Sequence, residues 1–362
     1  MSLLLANKIE IRPNENQIDF LSKSVGCRRF VWNMCLAEWN YAYKHGLRPD
    51  KFYMRFYLRC LKDKYQWLRD VSNVILLETI DDLCLAFERF FKKIAKYPRF
   101  KKKGVSDSFS IRNLTKFRIV GRKLEIERMR GSWISMRETL RFNGQHRQVT
   151  ISNRAGRWFV SVLIRLPANP YTSRFPLNEN QVGVDLGIKE LAVCSDGTIF
   201  SASQPLKKQL KKLAKLQRQL SKKSKGSNRS KKLKARIAEL HYYISCKRGA
   251  VLHNISDYLT KTFERIVIED LNVSGMVRNH KLARAISDCG FGELRRQLEY
   301  KSKLRGNDLV IADRWFASSK ICSQCGTIKK DLTLSDRVYN CDCGLSMDRD
   351  LNAARNLMNY VA

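Results

Sequence analysis

The chain has 362 residues, with 69 Lys and Arg against 34 Asp and Glu, a formal charge of +35 and a pI near 10.0. Two basic residues for each acidic one would make a compact fold repel itself, so a polyanion, and by default nucleic acid, is the expected ligand. At 44% hydrophobic, with 17 Phe, 13 Tyr and 6 Trp, disorder throughout is excluded, and the length points to two or three domains.

The longest apolar runs, such as Leu3 to Ala6 and Ile266 to Ile268, fall far short of the roughly 18 residues of a membrane span, and no signal peptide is expected. The expected location is therefore cytoplasmic, nucleoid-associated in a prokaryote, with no membrane partner. Eleven cysteines in a reducing compartment are thiols or metal ligands. Cys27, Cys35, Cys60, Cys84, Cys194, Cys246 and Cys289 lack ligand spacing and are expected to be small buried hydrophobes.

In chain order, Leu3 to Ile11 alternates as a strand and is stopped by Pro13 and Asn14. Between Gln17 and Lys96 apolar residues recur at helical spacing: Phe30, Val31, Met34 and Leu36, then Leu76, Ile80, Leu83 and Phe87, then Phe90, Phe91 and Ile94. Tyr97-Pro98-Arg99-Phe100 is expected to stop the last helix, and Lys101-Lys102-Lys103-Gly104 opens a new composition. From Phe109 to about Leu166, short alternating runs split by Gly121, Gly131, Gly144 and Gly156 predict a small β-barrel.

Beyond Pro167 and Pro170 a third region opens with Gln181-Val182-Gly183-Val184-Asp185-Leu186-Gly187-Ile188. An ionised carboxylate in such an apolar strand costs several kcal/mol unless a cation compensates, so Asp185 needs a partner. Ser195-Asp196-Gly197-Thr198 is a hairpin turn into a second strand. Leucines and isoleucines at steps of three and four over 206–220 and 233–244, with Ser224 to Ser230 between, predict a helical hairpin. Residues 207–236 hold 14 Lys or Arg and no acid. Without compensating acids the hairpin repels itself, and a nucleic-acid backbone along its outer face relieves that repulsion.

Arg265-Ile266-Val267-Ile268-Glu269-Asp270-Leu271 repeats the anomaly, with Glu269 ending an apolar strand. A third acid opens a helix rich in small residues, within Met347-Asp348-Arg349-Asp350-Leu351-Asn352-Ala353-Ala354. Two strand-end carboxylates and one helix-borne acid are what a two-metal phosphodiester site requires, because hard divalent ions take oxygen ligands. Of the two aspartates, Asp350 shares a helix face with Ala353, Ala354 and Leu357, the face that must be buried, whereas Asp348 lies where a cap would. The expected set is thus Asp185, Glu269 and Asp350, holding two Mg²⁺ ions. Cys322-Ser323-Gln324-Cys325-Gly326 and Cys341-Asp342-Cys343-Gly344, with 15 residues between the pairs, predict two tight turns that aim four thiolates at one structural Zn²⁺.

These motifs, in this order, resemble the TnpB family, transposon-encoded relatives of the type V CRISPR effectors. The resemblance runs over nearly the whole chain, through Pro98-Arg99-Phe100-Lys101-Lys102, Gly183-Val184-Asp185-Leu186-Gly187, Ile268-Glu269-Asp270-Leu271, Leu298-Glu299-Tyr300-Lys301, the cysteine pairs and Asp348-Arg349-Asp350-Leu351-Asn352. It implies a multidomain α+β chain. Residues 1–15 would be the first strand of a wedge β-barrel, 16–103 a helical recognition lobe and 104–170 the rest of the barrel. Residues 171–362 would form a RuvC nuclease domain of RNase H fold, carrying the basic hairpin at 206–245 and a zinc ribbon at 318–346. It implies an RNA-guided endonuclease that takes a guide RNA from the transposon end and cuts double-stranded DNA beside a short adjacent motif. The alternatives are a guided DNA-binding repressor without cleavage and a metal-dependent transposase. Arg99, Lys101, Lys102, Lys103, Lys207, Lys208, Lys211, Lys212, Lys222 and Lys223 are the expected nucleic-acid contacts. Two positions depart from the family pattern: Cys341 and Cys343 enclose one residue rather than two, and Leu77-Glu78 stands where glutamines help read the adjacent motif.

The charge distribution generates a direct expectation. Purified protein should carry RNA, and reversing Lys211, Lys212, Lys222 and Lys223 together should weaken its retention and flatten the salt dependence of binding. The check is the nucleic acid recovered from wild type and variant at increasing salt; equal recovery would remove the hairpin from the interface.

Overall fold

A computed structural model describes residues 3–105, 107–171, 180–333 and 336–361. The chain divides into two units, 1–169 and 170–362; residues 172–179, which border the expected joint at 170/171, lie outside the described residues.

In the first unit, β1 (Leu3–Arg12) leads into α1 (Glu15–Lys44). Asn14 caps the helix reciprocally: its side chain accepts from the Gln17 amide while the Gln17 side chain accepts from the Asn14 amide, each at 2.9 Å. α2 (Lys51–Lys64), capped by Asp50, and α3 (Asn73–Phe91) complete the helical part. Leu76, Ile80, Leu83 and Phe87 on α3 pack with Trp32, Trp39, Met54 and Leu58 in one core. The last helix stops at Phe91 rather than at Tyr97, because Lys93 turns left-handed (φ 57°) and the Ile94 and Ala95 amides both bond back to the Arg89 carbonyl. Ile94, assigned by its spacing to the helix core, is 73% exposed.

The strands β2 (Ser108–Ile111), β3 (Phe117–Val120), β4 (Lys123–Ile126), β5 (Ile134–Met136), β6 (Gln145–Arg154) and β7 (Arg157–Leu166) join β1 in the order β2-β6-β7-β1-β5-β4-β3. β1 bridges the two halves, pairing with β7 from Leu3↔Leu166 to Ile11↔Trp158 and with β5 at Ile11↔Met136. Alternate residues such as Val149, Ile151, Val160, Val162 and Ile164 fill the interior of this nearly closed, barrel-like sheet. Two cysteines expected to be buried are not: Cys60 and Cys246 occupy outward faces of α2 and of α5 (Asn228–Thr262).

The second unit is built on a mixed sheet of β8 (Gln181–Asp185), β9 (Glu190–Cys194), β10 (Ile199–Ser201), β11 (Arg265–Glu269) and β12 (Asp308–Ala312), in the order β10-β9-β8-β11-β12. β8, β11 and β12 are parallel, whereas β9 and β10 are antiparallel and joined by the expected turn at Ser195–Thr198, with Gly197 at φ 89°. β12 is absent from the sequence reading; its short apolar run carries no polar alternation because both its faces are partly covered. α4 (Pro205–Ser221) and α5 form the basic hairpin around Leu213, Leu240 and Ile244. α5 runs well past the expected end near residue 245, because its second half supplies Leu252, Ile255 and Leu259 to the sheet. After α6 (Val273–Met276) and α7 (Ala283–Cys289), α8 (Phe291–Arg305) joins that half on the sheet face formed by Val182, Val184, Ile266 and Ile268. β13 (Val338–Asn340) and β14 (Ser346–Asp348) lead into α9 (Arg349–Met358), whose Leu357 packs with Val267 and Ala312 on the opposite face.

Gly183 is where α9 meets β8. A β-carbon at 183 would collide with the Ala354 carbonyl oxygen and the Met358 amide nitrogen and lie 2.9 Å from the Leu357 carbonyl carbon. These are backbone atoms, so no rotamer change relieves the clash. Gly183→Ala should therefore cost about 3 kcal/mol or more and displace α9; thermal unfolding of the purified variant, expected to begin well below wild type, is the check.

Candidate functional site

Parallel register brings the two strand acids to one end of the sheet. Ile268 lies beside Val184, so Glu269 and Asp185 stand next to each other at the carboxyl ends of neighbouring strands, the usual place for chemistry in parallel sheets. Side chains alternate along a strand. Val182 and Val184 face α5 and α8, so Gly183 and Asp185 face α9; on β11, Val267 and Glu269 do the same.

The third acid arrives on α9. Asp348 is the N-cap, its side chain accepting from the Asp350 amide at 2.9 Å and the Leu351 amide at 3.1 Å. Asp350 sits in the first turn, with Ala353, Ala354 and Leu357 buried on its side of the helix. Its Oδ1 accepts from Arg349 Nη2 at 3.1 Å, and Arg337 Nη1 lies 3.9 Å from Oδ2. Glu269 accepts from the Ser318 hydroxyl at 2.7 Å.

Burial, and then the negative charges of Glu269 and Asp350, hold the Asp185 carboxyl well above the ordinary carboxylate range. Burial also raises Glu269, with Asp350 adding and Ser318 opposing. Three acids gathered against their own repulsion, with oxygen as the only donor, are the chemistry that a hard divalent cation fits. The neighbouring Asp270 is different. Its hydrogen bonds from Arg295, at 2.6 Å, and from Arg314 push its carboxyl down, and it serves as an ion-pair hub.

The four cysteines Cys322, Cys325, Cys341 and Cys343 converge, with all four sulfurs within 4.8 Å of one another. Each pair is bent by the glycine that follows it, Gly326 at φ 77° and Gly344 at φ 90°. The Gly326 amide bonds the Cys322 carbonyl at 2.9 Å, and the Gly344 amide bonds the Cys341 carbonyl at 3.0 Å. The single residue between Cys341 and Cys343 is accommodated because β13 and β14 clamp that turn from both sides. Sulfur donors in this arrangement fit a structural zinc. Hydrogen bonds from Thr327 hold the Cys325 thiol down to about 6, favouring the thiolate a metal needs.

Residues that the sequence did not single out tie the two centres together. Asn352 donates to the Ile321 carbonyl at 2.7 Å and accepts from the Ser323 amide at 3.0 Å, inside the first cysteine turn. Asn356 donates to the carbonyls of Ser318 at 2.7 Å and Ile321 at 2.6 Å. Both asparagines are buried on α9; their signal was two amides on the apolar face of a helix, which need fixed partners.

Among the expected nucleic-acid contacts, Lys207, Lys208, Lys211, Lys212, Lys222 and Lys223 are exposed on α4 and the turn after it, and Arg99, Lys102 and Lys103 are exposed in the first unit. Lys101 is engaged internally: its ammonium lies 3.6 Å from the centre of the Trp32 ring, and burial lowers it to about 8. Glu78 is engaged too, buried and accepting from Arg112 through the backbone amide at 2.7 Å and the guanidinium at 2.6 Å.

Comparison with known proteins gives a consistent set of likenesses. Residues 164–280 match a family model described as "Probable transposase", 291–357 a Cas12f1-like TNB domain and 1–48 a helix-turn-helix domain. A Streptomyces pristinaespiralis protein named "Putative RNA-guided DNA endonuclease" is 36% identical over 98% of this chain and 88% of its own. Escherichia coli InsQ, which bears the same description, is 33% identical over 99% of this chain and 92% of its own. A solved Cas12f1–sgRNA–target DNA complex covers 99% of both chains at 15% identity with a TM-score of 0.36, too low to carry an argument.

The cysteine geometry generates a prediction. Elemental analysis should find one zinc per chain, and Cys325→Ser or chelation should unfold the 318–346 segment and loosen α9. Hydrogen exchange at Asn352 to Leu357 reads this directly; unchanged protection in zinc-free protein would separate the ribbon from the helix.

Proposed function

The chain belongs to the TnpB family, and from that premise we propose that it is a transposon-encoded, RNA-guided endonuclease that cuts double-stranded DNA beside a short adjacent motif. The observation that carries the reading is the convergence of Asp185, Glu269 and Asp350 on the α9 face of the sheet, with Asp185 and Glu269 raised by burial and by neighbouring carboxylates. A binding-only protein has no use for so costly an arrangement, which also weighs against the guided repressor.

On this reading the second unit is a RuvC-type nuclease domain. An antiparallel run β10-β9-β8 continued by β11 and β12, both parallel to β8, supports an RNase H-like fold. Residues 1–15 and 104–170 form a wedge barrel, 16–103 a recognition lobe, and 318–346 a zinc ribbon. Asp185, Glu269 and Asp350 would hold two Mg²⁺ ions, which when bound supply positive charge to the scissile phosphodiester and to the water that attacks it.

The remaining work falls to the chain itself. Ser318 orients Glu269 through one carboxylate oxygen and leaves the other for a cation. Arg349 holds Asp350 at 3.1 Å and limits repulsion before the cations arrive. The exposed lysines of the 207–223 segment neutralise backbone phosphates of the guide RNA or of its heteroduplex with DNA, and sequence choice comes from base pairing. Glu78 is a carboxylate already accepting from Arg112 and has no amide N–H to donate, so motif reading by glutamine in relatives does not carry over to this chain.

Alanine variants test the assignment. Asp185→Ala, Glu269→Ala and Asp350→Ala should each lower cleavage at least about a hundred-fold while leaving guide-dependent DNA binding intact. Asp348→Ala, which loses a cap worth about 1 kcal/mol, should be impaired but active. Cleavage and gel-shift assays with one guide and target decide it; Mg²⁺-dependent cutting by Asp185→Ala would falsify the site.

A further inference from the structure

Trp315 is 86% exposed, yet it stands on a loop fixed from both sides. Its amide donates to Asp313 Oδ1 at 2.8 Å, the Phe316 amide donates to the Asp313 carbonyl at 3.0 Å, and the Asp313 amide donates to the Tyr360 hydroxyl at 3.2 Å. Phe316 packs edge-on against Tyr360 with ring centroids 4.9 Å apart. On one side of Trp315, Arg314 pairs with Asp270; on the other, Ser318 donates to Glu269 at 2.7 Å. The backbone that carries the exposed indole is thus tied to Glu269, which ends β11, and to Asp270, which follows it.

We propose that Trp315 is a base-stacking platform for the single DNA strand delivered to the acids, a substrate-contacting residue that sets the scissile phosphate in place. The inference rests on the nuclease reading for what the stacking accomplishes. Three features select the occupant. The chain that carries the indole bonds Asp270 through Arg314, the residue before it, and Glu269 through Ser318, three residues after it, so whatever covers the ring is held close to the site. Arg314 and Arg295 flank Asp270, and the chain carries +35, which favours a polyanion and opposes a second copy of the same chain. An indole face accepts any base, as a nuclease that cuts many sequences requires.

The test uses the full chain bound to its guide RNA, with Trp315→Ala and Trp315→Phe. Since the side chain is exposed, both variants should unfold at the wild-type temperature. The first measurement needs no cleavage: with Ca²⁺ in place of Mg²⁺, the fluorescence present in wild type and absent from Trp315→Phe should be quenched when a target with an unpaired displaced strand binds. The second is the single-turnover rate. Trp315→Ala should slow cutting about ten-fold or more, with target affinity within about two-fold of wild type and Trp315→Phe restoring most of the rate. An abasic residue scanned along the cleaved strand should slow wild type at one position and have no further effect there in Trp315→Ala. Unquenched fluorescence, or a Trp315→Ala rate equal to wild type, overturns the stacking role. Quenching in a wild-type complex that never cuts leaves the platform standing and defeats the nuclease reading instead. Quenching by an added protein but not by DNA would assign the ring to a protein partner and overturn the proposal.

Discussion

The second unit depends on one backbone-to-backbone contact, the seat of α9 on β8 at Gly183. Helices usually stand off a sheet by the depth of a side-chain layer, about 10 Å between axes, and an acid in a helix's first turn would then stop short of the strand ends. With no side chain at 183, and alanines at 353 and 354 above it, the helix drops onto the strand. Ser195 reinforces the contact from the sheet side, its hydroxyl accepting from the Gly183 amide at 3.1 Å and lying 3.4 Å from the Met358 sulfur. The close approach brings Asp350 within electrostatic range of Asp185 and Glu269, and the electrostatic cost of that gathering is what a bound cation would relieve.

A helix of ten residues cannot hold such a position by apolar contact alone. The cysteine turns supply the rest. The second leads through β14 into the Asp348 cap, and the first is tied to Asn352 and Asn356. The same stretch contributes Ser318 to Glu269, so a zinc-bound ribbon would fix two of the three acids at once. On the proposed reading, a metal with no part in the chemistry would thereby govern activity.

What the sequence disclosed follows from which residues break local rules. Asp185 and Glu269 interrupt apolar strands, and paired cysteines before glycines have few other uses, so each announced itself without tertiary information. The helix face of Asp350 followed from periodicity, and the helix starts at Arg349, directly after the Asp348 cap. Ser318, Asn352 and Asn356 break no rule and carry no period; their roles exist only once the ribbon lies against α9. Gly183 was visible, but its reason lies about 170 residues away in α9. The end of α3 was misjudged for the opposite cause: Pro98 is a strong stop signal, and the weaker left-handed turn at Lys93 acts first.

Acidic and basic residues are distributed unevenly between the interior of the fold and its surface. Many of the acids are consumed inside the fold. Asp82 pairs with Arg28 at 2.8 Å and with Arg112; Asp257 takes Lys301 at 2.9 Å and Arg305 at 3.0 Å, which hold it at about 2. Asp288 pairs with Arg248 at 3.0 Å and caps the Leu206 and Lys207 amides that begin α4, where Gln204 offers no side-chain cap. Internal pairing of this kind leaves the lysines of the hairpin uncompensated, and the long-range field stays positive. At Asp185, Glu269 and Asp350 the local balance reverses, since among the described residues Arg349 and the more distant Arg337 are the cations paired with Asp350 against three carboxylates. A polyanion drawn in by the field would be repelled at that one place unless cations bridged it to the acids. On the proposed reading, the attraction that brings nucleic acid to the protein and the repulsion that would keep it from the acids are reconciled by divalent cations between carboxylate and phosphate.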